Sequence, residues 1–380
     1  MSRADRWSLS AVSFVIVMAI LGVLVERATR RVASQIDGQF GYTPDPEGTR
    51  AFLATLGNEK FFSQAGAEAM HEAKGVDTFL YRQLNAAHMA RYGKPFVVGR
   101  QLIGDCTSWG GMHAVAVADA VSFSLGKLPE PPLMPATEPL YGGARVEAMR
   151  KPGDGAQPYG GWSDGATGFG VAKFLREYGV VYRQKYPTVD LTEYSGERAK
   201  QYGAYGCGGQ GDAGRLDAEA KKHPLKHVVA VRTWAELAAA LESGYPVTLA
   251  SSQGFQSVRN KDGICEASGT WMHQMCAIGI RHRKNGAPDD LVLILNSWGP
   301  SWVGPKENKY PSDQPDGSFW ARRSVVETRM LEDAWAIGDT DGFKYRDIHH
   351  GNWLAPAPPE TQTRTPSNAR LIADVYHLGL

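Results

Sequence analysis

The sequence predicts an α+β fold, with its helices gathered towards the amino end and its strands towards the carboxyl end. Two observations carry that expectation. Residues 49–91 and 112–125 place apolar side chains at helical spacing, with no proline inside either run. From Val228 to about Val326, β-rich runs alternate with Gly/Pro turns. Helical runs followed by strand runs are the pattern of an α+β domain.

Taken in order, the chain opens with an apolar segment over residues 1–31. Leu9 to Val25 is almost purely apolar, and with Trp7 and Ser8 the uncharged stretch is 19 residues long. That is close to the ~20 residues a membrane-spanning helix needs, and longer than the roughly 7–15-residue core of a secretion signal. No small-x-small cleavage site follows in Glu26–Arg31. A membrane anchor is expected, with a cleaved signal and a buried helix as the other readings. Arg3 and Arg6 precede the segment, and Arg27, Arg30 and Arg31 follow it, so charge gives no orientation. Residues 32–47 are polar, contain Pro44 and Pro46, and read as a linker. Thr49 to Arg91 reads as two or three helices. Lys94-Pro95-Phe96 opens the main domain, expected over 94–345, with 32–93 as linker plus helical extension. An apolar helix runs through Met112–Leu125, a proline-rich loop follows over Leu128–Pro135, and residues 180–230 read as irregular. Residues 346–380 read as a Pro/Thr-rich tail.

Composition narrows the function. Of the 380 residues, 43% are hydrophobic and 21% charged, which is ordinary for a globular chain. A net charge of +1 supplies no basic field, so nucleic acid is not an expected partner. His349-His350 is read as having no further ligands at metal spacing, and neither metal nor cofactor is expected. Two motif matches lack their structural context. Gly161-Trp-Ser-Asp-Gly165 fits a nucleophile elbow, but a glycine-rich loop precedes it instead of a strand. Gly206-Cys-Gly-Gly-Gln-Gly211 fits a dinucleotide fingerprint, but no βαβ unit surrounds it.

Three other segments belong together chemically. Gln101-Leu-Ile-Gly-Asp-Cys-Thr-Ser-Trp109 offers a thiol at a helix start, Trp271-Met-His-Gln-Met-Cys-Ala-Ile-Gly279 an imidazole, and Leu295-Asn-Ser-Trp-Gly-Pro-Ser-Trp302 a side-chain amide. A thiolate attacks acyl carbons, an imidazole holds its proton, and an amide fixes the imidazole's tautomer. A helix amino terminus and a neighbouring imidazolium both favour the thiolate. Thr107 and Ser108 can satisfy first-turn amides. Asp105 reads as a turn residue whose charge would oppose the thiolate, and His113 as a packed side chain.

These three segments resemble the active-site blocks of papain-like cysteine peptidases, and the likeness covers roughly residues 95 to 335. Asn296, Ser297, Trp298, Gly299 and Trp302 match the Asn-Ser-Trp-Gly-x-x-Trp block, and His273 with Gly279 matches the His block. Asp316–Trp320, Asp164–Gly179 and Thr233–Ala250 resemble further blocks of that family. The resemblance implies a helical lobe carrying the Cys helix, a β-barrel-like lobe carrying the His and Asn, and an active site in the cleft between. It implies peptide-bond cleavage of a peptide or protein substrate through an acyl-enzyme on Cys106. His273 would be base and acid, Asn296 its orienter, and Trp298 a shield for their hydrogen bond. The family's oxyanion Gln stands six residues before the Cys. Here Gln101 stands five before it and is assigned that role, with Arg100 in the sixth place. Gly165 and Ala166 fall where the family pairs its backbone with an extended peptide, and Trp162 and Trp271 are expected as cleft walls.

The same three residues would serve a Cys/His amidase or acyl transferase acting on a non-protein amide, and a non-catalytic scaffold could keep the fold. Residues 49–92 stand where papain-like zymogens carry an inhibitory segment, but match no such pattern, so a structural role is the first expectation. Cys276 reads as a buried thiol. Cys207 and Cys265 are free to pair or not. The cysteines that secreted relatives place before the nucleophile and in the Gly-rich turn are missing.

Overall fold

The computed structural model describes residues 40–348, except 151–157, 160, 162, 210–212, 226, 284–288, 339–341 and 347. The apolar segment expected over 1–31, Trp162, His349-His350 and most of the tail lie outside the described residues. Among the described residues no helix is long and apolar enough to cross a membrane.

The first helix, α1 (Pro46–Thr55), starts where the sequence supplies a cap. The Asp45 carboxylate accepts from the Gly48 amide at 2.8 Å, and Pro46 occupies the first turn, where a missing N–H costs nothing. Two short helices, α2 (Phe62–Ala65) and α3 (Ala67–Glu72), lead to strand β1 (Thr78–Phe79) and helix α4 (Tyr81–Tyr92). Helix α4 ends on Gly93 at φ 68°, a left-handed C-cap that glycine adopts without penalty. Helix α5 (Cys106–Ser124) is buried on almost every side, as a helix apolar all round must be. Helices α6 (Thr137–Gly143), α7 (Gly168–Glu177), α8 (Gly196–Tyr205) and α9 (Ala213–Ala220) follow. The last two lie in the stretch expected to be irregular. Ser195 caps α8 through the Arg198 amide at 3.2 Å, but Gly196 and Gly203 dilute the apolar stripe that would have revealed the helix.

The strand-rich part holds β2 (Val228–Ala230), helix α10 (Trp234–Glu242), β3 (Val247–Arg259), β4 (Cys265–Arg281), β5 (Leu291–Leu295), β6 (Ser318–Arg322), helix α11 (Arg323–Arg329) and β7 (Asp333–Ile337). Thr233 and Glu236 form a capping box that starts α10 where the sequence predicts a short helix. The strands form an antiparallel sheet in the order β2-β7-β3-β4-β5-β6, with β1 added beside β4. The sheet curls at one end, where Ile264 bridges Trp320 and Val258 bridges Gly304. The register sets Ser251 opposite His273 and Cys276 opposite Leu295, which leaves Asn296 one residue beyond the end of β5. Helix α5 packs along β4, so the helical and strand-rich halves meet at the start of α5. The α+β class expected from the sequence is the architecture observed.

Residues on both sides of position 93 share one core. Phe62, Leu80, Tyr81 and Leu84 pack in the same cluster as Val115, Leu237 and Ile280. All four cysteines are buried and free, so Cys207 and Cys265 do not pair.

Candidate active site

Cys106 is the first residue of α5 and is fully buried. Backbone amides of Gln274, Gly41 and Thr107 hydrogen-bond its sulfur and favour the thiolate. Burial outweighs them, with help from the charge of Asp105, and pushes the thiol up to about 12. Asp105 is itself buried, accepts from the Tyr194 hydroxyl at 3.0 Å on Oδ2, and has no described partner on Oδ1. Burial also raises the Asp105 carboxyl well above the usual range. Ser108 does not cap an amide as expected; its hydroxyl donates back to the Asp105 carbonyl at 2.8 Å.

His273 lies in β4, and Asn296 follows β5; neither is exposed. His273 Nε2 and Asn296 Oδ1 are 2.7 Å apart. Because Oδ1 is the acceptor, Nε2 carries the hydrogen and Nδ1 is the nitrogen left to exchange a proton. Asn296 Oδ1 also accepts the Ser297 amide at 2.7 Å, which holds the carboxamide in place. The Trp298 ring lies 4.7 Å from the imidazole, centroid to centroid, and covers the pair. The next residue on β4, Gln274, ties the strand to the helix: its amide faces Cys106 and its Nε2 donates to the Thr107 carbonyl at 2.9 Å. His273 and Cys106 are thus each one residue from a direct strand-to-helix bond.

Gln101 is buried and joins the Cys block to the Asn block. Its backbone amide donates to the Ser297 carbonyl at 2.9 Å, and its Oε1 accepts the Ser297 hydroxyl at 2.6 Å. Its Nε2 donates to the Ile103 carbonyl at 3.0 Å. Trp271, Trp298 and Trp302 form an aromatic wall, with the Trp271 and Trp298 centroids 4.7 Å apart.

Residues 40–43, in the described part of the stretch expected to be a linker, run through this cleft. Thr43 donates to the Ala166 carbonyl at 2.9 Å, and the Ala166 amide donates to the Gly41 carbonyl at 2.8 Å, a parallel bridge centred on Tyr42. The amides of Gly41 and Tyr42 both donate to the Met272 carbonyl at 3.0 Å. The segment is therefore held from both walls. The methyl of Ala166 does not obstruct this pairing. At Gly165, φ is 113° and a Cβ would lie 2.9 Å from the Gly41 carbonyl oxygen, so glycine is needed there. Phe40 packs edge-on against Trp298 at 5.7 Å and His273 at 6.3 Å. Tyr42 clusters with Cys106 and Ala250, and its hydroxyl hydrogen-bonds Asp333.

Phe40, Gly41, Tyr42 and Asp333 are the members of this site that sequence reasoning missed. The one signal for the first three is an aromatic pair around a glycine inside an otherwise polar run. Gly206 and Cys207 follow helix α8, not a strand, so the fingerprint match stays without its context.

No protein-family model and no curated protein matches the sequence. Solved structures do. The chain is similar to xylellain, a cysteine protease from Xylella fastidiosa, with 18% identity over 80% of this chain and 97% of that one and a TM-score of 0.48. It is similar to digestive procathepsin L 3 of the Tenebrio molitor larval midgut, with 15% identity over 84% and 88% of the two chains and a TM-score of 0.42. It is also similar to a procathepsin B from Trypanosoma congolense, with 12% identity over 81% and 87% and a TM-score of 0.41.

Proposed function

We propose that this chain is a cysteine peptidase that cleaves peptide bonds through an acyl-enzyme on Cys106. The observation that carries the reading is the buried 2.7 Å bond between His273 and Asn296, beside the helix start that bears Cys106. In the proposed reaction His273 Nδ1 takes the thiol proton and the sulfur attacks the substrate carbonyl carbon. The imidazolium then gives that proton to the leaving amine as the C–N bond breaks. Water, deprotonated by the same nitrogen, hydrolyses the thioester and frees the acid. Asn296 keeps the ring in register through both halves. The oxyanion would take the Cys106 amide at the positive end of α5 and, once turned from Ile103, the Gln101 carboxamide.

The arrangement described is a resting one, because Phe40–Thr43 covers the sulfur. Activity requires that segment to leave. A second reading follows from the same cover: a non-catalytic scaffold whose cleft permanently holds its own chain. One experiment separates the two. In the full-length chain carrying Phe40→Ala and Tyr42→Ala, Cys106 should react with a vinyl sulfone at least about tenfold faster than Cys207, and His273→Ala in that background should remove most of the difference. Casein cleavage should appear in the same variant and vanish with Cys106→Ala. Equal labelling of Cys106 and Cys207 would sink the peptidase reading.

A further inference from the structure

We infer that the recess filled by Tyr42 is the pocket that selects the substrate, and that it selects a tyrosyl side chain; the inference rests on Cys106 being the nucleophile. Backbone pairing to Ala166 and Met272 would hold an extended peptide, as strand addition does, and beyond the glycine at position 41 it carries no information about sequence. Selection must come from a side-chain pocket, and Tyr42 marks where that pocket is.

The pocket is built from small residues and one acid. Gly168 and Ala250 leave the space. A Cβ on Gly168 would come within 2.9 Å of the Ala250 methyl and 2.7 Å of Asp333 Oδ2. The Tyr42 ring rests against Cys106 and Ala250, so whatever fills the recess lies beside the reacting sulfur. Asp333 stands at the far end and is almost fully buried. It is held rigidly: Oδ2 accepts the Gly168 amide at 3.0 Å, and Oδ1 accepts Trp335 Nε1 at 2.6 Å. The phenol of Tyr42 is the third donor it receives.

The chemistry of that end favours a neutral donor. Phenylalanine would fill the ring space but leave a buried acceptor without its third donor, which a pocket built to hydrogen-bond penalises strongly. A cationic side chain would meet a carboxyl that already feels the Arg232 guanidinium, whose own Nη1 is held by the Leu331 carbonyl. A phenol satisfies both ring space and acceptor without adding charge.

The test uses the full chain with Tyr42→Ala, which vacates the recess. Blocked peptides with the segment's own sequence, Phe-Gly-Tyr-Thr, are compared with versions carrying Phe or Arg in place of Tyr. The readout is protection of Cys106 from iodoacetamide by mass spectrometry, with Cys207, Cys265 and Cys276 as internal controls. The tyrosyl peptide should protect at a concentration at least about tenfold lower than either of the others, and Asp333→Asn in the same background should shrink that preference. Equal or better protection by the Phe or Arg peptide, or protection by none, overturns the inference. A second variant guards against misfolding. Tyr42→Phe alone loses only the hydroxyl, and should speed alkylation of Cys106 over the unaltered chain. An unchanged rate counts against the pocket. Protection is a binding measurement, so tyrosyl protection without cleavage of any peptide would defeat the peptidase reading and leave the pocket standing.

Discussion

At the scale of single residues, the legible part of the site is the part whose chemistry is local. Cys106, His273 and Asn296 each sit in a short block of distinctive neighbours, and those neighbours do structural work. Trp298 covers the imidazole, Ser297 binds Gln101, and Gln274 joins β4 to α5. Asp333 has no such block, and its significance comes from facing Tyr42 across the fold. Its titration gives a direct check. Burial raises its carboxyl from 3.8 to about 6, despite the Trp335 and Gly168 bonds. A carboxyl whose folded value is raised favours the protonated form. Its contribution to stability is therefore complete below pH 4 and lost as the pH rises through 6. A shift of that size corresponds to on the order of 3 kcal/mol. Asp333→Asn mimics the neutral acid, so its stability relative to the unaltered chain should increase between pH 4 and 7 in thermal melts. A constant difference across that range would show that Asp333 does not titrate there.

At the scale of elements, α5 is the axis on which the site is assembled, and two glycines let it lie close to its neighbours. A Cβ on Gly110 would reach Gln274 at 2.9 Å, and one on Gly111 would reach Val171 at 2.6 Å and Leu140 at 3.0 Å. Gly111→Ala should destabilise the chain by roughly 1–3 kcal/mol through overpacking, read as a lower denaturation midpoint. An unchanged midpoint would mean that α7 yields freely. The elements around α5 were legible in proportion to their burial. Strands β4 and β5 and helices α5 and α10 carry strong apolar patterns. Helices α8 and α9 lie among glycines and charges, where a 3.6-residue stripe has too few members to stand out. The segment Phe40–Thr43 was illegible for another reason. It forms its single bridge only because Ala166 and Met272 offer it partners, and no property of its own sequence demands extension.

At the scale of the whole molecule, residues 46–92 are built into the domain. Ser63 donates its amide to Glu236 at 3.0 Å, and Lys74 and Gly75 donate theirs to Glu242, both at 2.9 Å. Strand β1 pairs with β4 three turns of pleat from His273, and Phe62, Leu80 and Tyr81 are fully buried. A chain starting at Lys94 would uncover that core and take from Glu236 and Glu242 the Ser63, Lys74 and Gly75 donors. It should be insoluble or lack a cooperative melting transition, and a soluble, cooperatively melting product would show the extension to be separable. The segment in the cleft is different in kind, since it is held by backbone pairing to Ala166 and Met272 and leads into α1. Its closest approach is backbone to backbone: a Cβ on Gly41 would overlap the Gly104 carbonyl oxygen in the loop before Cys106. Most residues of an ordinary peptide carry a Cβ and so cannot settle to the depth that Gly41 reaches. The backbone of Gly41 thus lies at a depth that no residue carrying a Cβ could share unless the loop before Cys106 gave way, so the fit between cover and cleft is set by thickness.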